Sequence, residues 1–319
     1  MKRLLLVLAL IVVVSLSGCL QNQGQGGQPN ESTIKTSMLR AADNLSSYNF
    51  TVTHNQTDII NELGNNNVAN MTIRSAISSV SASIDLANHR ARADLMTATS
   101  LKTPGEAARV SSSSGTQYNI GNITYTKMGE ENWTQLKDLT DANVMWASGR
   151  YNALKSRAES IDESQINILG SEVVDGKDCY KLNIATNDTV YNQTLRNAVE
   201  SVIFPFVANV NMTDLRKNSQ IDANAWIEKD NNLVRRYEYN LRLSVIPELV
   251  GAVNLSTGQI MMFNQSLRES IRPVAVSIET NNLEHYYDFD QPMNIAPPKE
   301  ALDTVPIVPV SIQNNSGLT

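Results

Sequence analysis

Apolar and polar residues alternate along much of the chain with the two-residue period of β-strands. The clearest alternation covers residues 236–245, where one set of side chains is apolar or aromatic and the other is polar. Such a pattern predicts a strand with one packed face and one solvated face. The apolar set is Tyr237, Tyr239, Leu241, Leu243 and Val245, and the polar set is Arg236, Glu238, Asn240, Arg242 and Ser244.

Other segments rich in β-branched and aromatic residues predict further strands at residues 48–53, 68–84, 89–98, 223–230 and 274–289. Residues 118–126 and 133–136 predict a hairpin around a polar turn, and residues 166–184 predict a second hairpin that turns at Asp175-Gly176. The segment 103–105 and the serine-rich run 111–115 are expected to be loops. The strand pattern indicates an antiparallel sheet.

Helical spacing of apolar residues occurs at residues 32–45, 144–161 and 190–210. The third stretch contains Pro205, which should kink or break a helix because proline lacks the backbone N–H and clashes with the preceding turn. Residues 249–263 form a further apolar stretch, with two adjacent methionines. The third helical stretch and the stretch 249–263 are the two unusual apolar segments of the chain.

The amino terminus has the three-part build of a secretory signal: Lys2 and Arg3, an apolar run from Leu4 to Val14, and the sequence Leu16-Ser17-Gly18-Cys19. A cleavage site that ends on cysteine is a lipobox. We therefore predict a signal peptide at residues 1–18, lipidation of Cys19 and a flexible tether at residues 19–30. The alternative is an uncleaved anchor, but the apolar run is shorter than the roughly 20 residues that a spanning helix needs.

The charge composition then excludes one class of function, the binding of nucleic acid. The mature chain has 24 basic and 32 acidic residues once Lys2 and Arg3 are removed, a net charge of −8. An acidic chain without a basic cluster is a poor nucleic-acid binder, because neutralised phosphates supply most of that affinity. We expect no nucleic-acid partner. The membrane is the expected partner, on its outer, extracytoplasmic face.

Thirteen Asn-x-Ser/Thr triplets occur where roughly six are expected by chance. Together with the lipobox, this excess indicates the glycosylated surface of an archaeal cell envelope, although a chain simply rich in asparagine and threonine would also contain many triplets. Three of the triplets begin at Asn30, Asn44 and Asn314. The other ten are the glycosylation candidates, and they begin at Asn49, Asn55, Asn70, Asn122, Asn132, Asn187, Asn192, Asn211, Asn254 and Asn264.

No catalytic residue, metal site or cofactor is predicted. After Cys19 is lipidated, Cys179 is the single remaining thiol, and we interpret it as a half-buried strand residue, because no motif couples it to a histidine. The three histidines have no zinc-ligand spacing, and no Gly-x-Ser-x-Gly motif occurs. A pair of carboxylates for glycoside hydrolysis stays open, but we expect no enzyme.

The order of these segments resembles the LolA/LolB/LppX-like lipoproteins, a family of lipoprotein-sorting and lipid-carrying half-barrels. The resemblance rests on an anchored helix followed by SSYNF, YNIGNITYTKMGEENW, GSEVVDGKDCYKLNI, AWIEKDNNLVRRYEYNL and YYDFDQPMNIAPPKEA. It implies an α+β fold in which helices cover the concave face of a large, curved antiparallel β-sheet. The half-barrel domain would occupy residues 31–301, and residues 302–319 would form a disordered tail.

The family resemblance implies an apolar cavity between sheet and helices that accepts a lipid or another apolar ligand. The apolar segments 190–210 and 249–263 are insertions relative to the soluble carriers of the family. We take the residues of the packed strand face and of these two insertions as candidates for the cavity lining. The same side chains could instead fill the cavity, which would leave a structural or interaction scaffold of the envelope with an unknown protein partner. The cavity candidates are Val202, Phe206, Met261, Met262, Tyr237, Tyr239 and Leu241.

Overall fold

The structure, a computed structural model, describes residues 29–62, 71–147, 151–270 and 273–307. Several predictions fall outside this part of the chain. They are the signal peptide, Cys19, residues 20–28 of the tether, Asn70 and residues 308–319 of the tail. Residues 68–69 of the second predicted strand and residues 148–150 of the second predicted helix also lie outside it.

Eleven strands form one open antiparallel sheet in the order β6-β5-β4-β3-β2-β1-β14-β11-β10-β8-β7. The sheet is curved and does not close, which confirms the predicted α+β half-barrel. Its strands are β1 (Ser47–Glu62), β2 (Thr72–Asp85), β3 (Arg90–Lys102), β4 (Arg109–Ile120), β5 (Ile123–Met128), β6 (Thr134–Lys137), β7 (Gln165–Val174), β8 (Lys177–Ala185), β10 (Ser219–Glu228), β11 (Val234–Val245) and β14 (Val274–Tyr287).

A small second sheet has the strand order β13-β12-β9 and is made from β9 (Phe206–Asn209), β12 (Glu248–Val253) and β13 (Ile260–Met262). The helices are α1 (Glu31–Asn44), α2 (Ala142–Ala147), α3 (Ala153–Asp162), α4 (Asp188–Ile203), α5 (Met212–Lys217), α6 (Gln265–Ser270) and α7 (Lys299–Leu302). The apolar stretch 249–263 thus forms the β12–β13 hairpin of the small sheet.

The helices divide the concave face into two cores. In the first core, α1, α2 and α3 pack on the sheet around Tyr48 and Tyr286, both of which are buried. In the second core, α4 and α5 pack against β10, β11 and β14, with Leu195, Val199 and Leu241 buried. The alternation predicted for β11 is confirmed, because its five apolar side chains belong to these two cores or pack against them.

Strand register shows which strand ends lie together at one end of the sheet. The pairs Gln165↔Ala185, Ser219↔Leu243, Val245↔Val276 and Ile60↔Thr72 all lie at the same end of the strands. We call this end the upper edge. Helix α1 also begins here, because the Lys35 Nζ donates a hydrogen bond to the Ser164 carbonyl oxygen at 2.5 Å.

Three predicted segments differ from the structure. The serine run 111–115 was expected to be a loop but lies within β4, where its backbone pairs with β3 and its serine residues are exposed. Residues 118–126 form two strands, because Gly121 adopts a φ of 58° and turns the chain between β4 and β5. The helix predicted at residues 144–161 is divided between α2 and α3.

The break predicted at Pro205 is confirmed. Helix α4 ends at Ile203, the Phe204–Pro205 peptide bond is cis, and β9 begins at Phe206. The tight turn predicted at Asp175-Gly176 is also confirmed, with a φ of 48° at Asp175 and 75° at Gly176. At the carboxyl end, Ile307 bridges to Leu136, so the residues before 308 contact the edge strand β6.

Candidate functional site

A cavity of about 340 Å³ lies between the concave face and the two helices α3 and α4. It separates the two cores. Strands β1, β8, β10, β11 and β14 form its floor, and the end of α3 and the beginning of α4 form its roof. Its lining includes His54, Arg157, Thr194, Tyr237, Tyr239 and Asn282.

The cavity opens at the upper edge of the sheet. Among its lining residues, Ser160, Glu163, Asn187 and Val190 are exposed, and all four lie between the last turn of α3 and the first turn of α4. The Asn187 side chain caps α4 by accepting a hydrogen bond from the Val190 backbone N–H at 2.9 Å. The cap therefore fixes where this helix starts, at the opening of the cavity.

A buried ion pair holds α3 over the floor of the cavity. The Glu284 carboxylate on β14 accepts two hydrogen bonds from the Arg157 guanidinium, one of them from Nε at 2.8 Å. It also accepts bonds from the Tyr286 hydroxyl at 2.8 Å and the Asn282 amide at 3.1 Å. The Glu284 side chain is only 8% exposed, so these four donors replace the water that it loses.

The Arg157 guanidinium also lies 3.8 Å from the centre of the Tyr237 ring, which is a cation–π contact. Burial alone would lower the pKa of Arg157, but the hydrogen bond and charge of Glu284 outweigh burial and raise this pKa. Burial, reinforced by the negative charge of Glu284, raises the pKa of the Tyr286 phenol. Arg157 is therefore cationic and Tyr286 a neutral hydrogen-bond donor throughout the ordinary pH range.

Tyr239 is the least satisfied polar residue of the lining. Its hydroxyl oxygen is buried and has no hydrogen-bond partner among the described residues. Burial raises the pKa of this phenol, so the hydroxyl stays protonated. A buried hydroxyl without a partner costs about 1–3 kcal/mol.

The structure brings only part of the predicted cavity lining together. Tyr237 and Tyr239 line the cavity. Val202 and Leu241 lie in the second core, at 7% and 3% exposure, where they pack against protein. Phe206, Met261 and Met262 lie on the small sheet and are 46%, 53% and 62% exposed.

Sequence reasoning missed the polar part of the site. Glu284 and Asn282 interrupt the inward-facing row of β14 that contains Val276, Ile278 and Tyr286, so charge at an inward position was the available signal. Arg157 likewise lies three residues after Leu154 and four before Ile161, both of which are buried positions of α3. Neither position reveals its partner, because 127 residues separate the two charges.

Several predicted glycosylation sites have a structural role. The side-chain oxygens of Asn187, Asn211, Asn254 and Asn264 accept hydrogen bonds from backbone N–H groups two or three residues later. These hydrogen bonds involve the side-chain oxygen and not the amide nitrogen, which is the atom that a glycan is attached to. By contrast, the amide nitrogens of Asn49 and Asn122 donate hydrogen bonds to Asp288 and to the Asp138 carbonyl.

The remaining candidates differ in exposure. Asn55 and Asn132 are exposed, and Asn192 is half-buried, with its side-chain oxygen accepting a hydrogen bond from Arg216 at 2.6 Å. Asn70 lies outside the described residues.

The described residues contain no group of three side chains suited to a metal ion. Cys179 is buried against Val174 and Trp226, and burial together with the charge of Glu228 raises its pKa to about 11. A thiol with that pKa is a poor nucleophile near neutrality. In the part of the chain that the structure describes, no helix has the length and apolarity needed to cross a membrane.

No protein-family model and no curated protein matches the chain. Among solved structures it is similar to LprF from Mycobacterium bovis, with 14% identity, a TM-score of 0.36, and coverage of 85% of this chain and 99% of LprF. It is also similar to the Mycobacterium tuberculosis lipoprotein LppX, with 12% identity, a TM-score of 0.34, and coverage of 84% and 100%. A putative outer membrane lipoprotein-sorting protein domain from Vibrio parahaemolyticus matches with 8% identity, a TM-score of 0.21, and coverage of 82% and 93%.

Proposed function

We propose that this chain is an extracytoplasmic lipoprotein that binds a lipid or another amphiphile in the cavity between sheet and helices. The observation that carries the proposal is the cavity itself. Its volume of about 340 Å³ lies at the small end of ligand sites, which range over roughly 300–1,000 Å³. A single alkyl or acyl chain with one polar end is the class of ligand that fits this volume.

The lining has the two kinds of surface that an amphiphile needs. Ile161, Ile184 and Ile221 supply apolar contact, and the Tyr237 ring adds a rigid wall. His54, Thr194 and Asn282 supply polar groups to the same lining. Binding would bury the apolar chain beside groups that can take the polar end.

The anchor follows from the lipobox, and it places the protein on the outer face of the membrane. The density of Asn-x-Ser/Thr triplets supports an archaeal envelope in which exposed sites such as Asn55 and Asn132 carry glycans. Because an anchored protein does not easily cross an aqueous gap, the role we propose is to receive, present or sense a ligand. The role is one of binding, without catalysis or a cofactor.

The second candidate function is a scaffold of the glycosylated envelope that takes no small ligand. The full packing of Val202 and Leu241 in the second core favours it, because this part of the predicted lining leaves no space. The two functions differ in one respect that can be measured. Only the first requires the cavity to be open.

Thr194→Trp tests whether the cavity takes up a ligand. Thr194 lies on α4 and lines the cavity, so an indole at this position should fill it and abolish uptake of a fluorescent acyl probe. Gln193→Trp is the matched control, since Gln193 is the preceding, exposed residue of the same helix, and its uptake should equal that of the wild type. Equal uptake by both folded variants, or none by the wild type, would leave the scaffold function.

A further inference from the structure

An exposed apolar surface covers the small sheet and its approach. We define this apolar surface by Phe204, Phe206, Leu255, Ile260, Met261 and Met262, whose exposures range from 46% to 72%. Leu255 is the most exposed of the six and lies in the turn that joins β12 to β13. Large exposed apolar patches mark sites that contact a protein partner or a membrane.

Exposed and buried residues do not alternate along this surface as they do along a half-buried strand. Ile260, Met261 and Met262 are consecutive in β13, and all three are exposed, so apolar side chains project from both faces of the strand. A hairpin that is apolar on both faces suits an apolar medium better than a protein partner on one side. Between Ile246 and Phe263 the chain has one ionisable residue, Glu248, at the base of the hairpin. Entry of the hairpin tip into lipid therefore buries no charge.

The position of the apolar surface in the fold indicates which partner it contacts. The small sheet lies at the upper edge, because β12 follows the end of β11, and the segment after β13, which contains α6, leads into β14. The chain enters the described fold at the same edge, where α1 begins beside Ser164. Strands β7 and β11 are three steps apart in the sheet, which corresponds to roughly 15 Å.

The length of chain outside the described residues allows both contacts at once. Eleven residue steps separate Cys19 from Asn30, which is enough to span up to about 36 Å. A lipid on Cys19 and the tip of the hairpin can therefore reach the same bilayer surface. A single acyl chain gives only marginal membrane binding, so a lone anchor gains from a second contact.

We propose that the apolar surface docks on the lipid bilayer to which Cys19 is anchored, with Leu255 entering the acyl region. The inference uses the anchor from the proposed function but not the ligand. Docking turns the cavity opening at Glu163, Asn187 and Val190 toward the membrane, because the opening lies on the same edge. It also requires that Asn254, next to Leu255, carries no glycan.

The test places an environment-sensitive fluorophore on Leu255→Cys in the full lipidated chain, reconstituted in vesicles of phosphatidylcholine and phosphatidylglycerol. Cys179 is buried and a lipidated Cys19 has no free thiol, so labelling is specific to the new thiol. Val173→Cys is the control: Val173 is 64% exposed and lies beside the β7–β8 turn, at the opposite edge. We expect a blue shift and quenching by spin-labelled lipid at position 255, and neither effect at position 173.

A probe at position 255 that remains accessible to aqueous iodide in the vesicle-bound protein would overturn the proposal. So would concentration-dependent dimerisation that protects this position in the absence of vesicles. The intact mass of the same sample reports whether Cys19 carries lipid. If that lipid is missing, the measurement is repeated with Cys19→Ser added, which removes the second reactive thiol. A chain that then still floats with its vesicles and is quenched at position 255 supports the contact alone, whereas a chain that does not float overturns the proposal.

A charged variant gives an independent measurement. Leu255→Asp should speed transfer of the protein between vesicles by roughly tenfold or more, because a leucine side chain in the acyl region of the bilayer is replaced by a carboxylate. Val173→Asp should leave the transfer rate unchanged. Equal transfer rates for the two variants would count against membrane contact at Leu255.

Discussion

Glu284→Ala should lower the free energy of unfolding by about 3–5 kcal/mol, since it leaves the buried Arg157 guanidinium without its counter-charge. Arg157 is only 23% exposed, so water does not replace the lost carboxylate. The Tyr286 hydroxyl and the Asn282 amide lose an acceptor in the same step. Denaturant unfolding of the purified variant measures the loss.

The same strand offers a matched control. Glu279 on β14 pairs with Arg242 of the neighbouring strand at 2.9 Å, but these two side chains are 63% and 74% exposed. Exposed pairs contribute about 0–1 kcal/mol, so Glu279→Ala should change stability by less than that. If the two variants unfold alike, the Arg157–Glu284 pair does not hold α3 on the sheet.

Leu241→Ala should destabilise the protein by about 2–5 kcal/mol through lost burial and the space left behind. Leu241 is 3% exposed and lies in the second core, where α4 covers β11. Thermal or denaturant unfolding gives the value. The cost should fall at the upper end of the range because Val276 and Ile278 lie in the same closely packed core.

Arg242→Ala is the control for that prediction. Arg242 is the next residue of β11, but its side chain points to the opposite face and is 74% exposed. Surface changes of this kind usually stay within about 0.5 kcal/mol. Equal destabilisation by the two substitutions would contradict the assignment of a packed face and a solvated face to β11.

Local patterns predicted the parts of the fold that local forces decide. The alternation in β11, the Asp175-Gly176 turn and the break at Pro205 each follow from the conformational preferences of neighbouring residues. The loop predicted for the serine run 111–115 was wrong, because backbone pairing with β3 holds this segment as a strand. The serine side chains give no sign of that pairing. Serine is neutral enough to follow its neighbours in either state.

The polar part of the candidate site depends on contacts between distant segments. Arg157 and Glu284 meet only when α3 lies on β14, and the orphaned Tyr239 hydroxyl becomes visible only when its surroundings are known. The apolar insertion 249–263 was assigned to a cavity because composition alone does not distinguish apolar side chains that face inward from those that face outward. Its residues Met261 and Met262 are exposed on the small sheet.

The most direct measurement is mass spectrometry of the molecules that remain bound to the protein after gentle purification from native membranes. We predict one class of amphiphile, with a chain short enough for a cavity of about 340 Å³, in near-equal molar amount with the wild-type protein. Thr194→Trp, purified in the same way, should carry none. Wild-type protein that carries no such molecule, or a Thr194→Trp variant that carries as much as the wild type, would contradict ligand binding in this cavity.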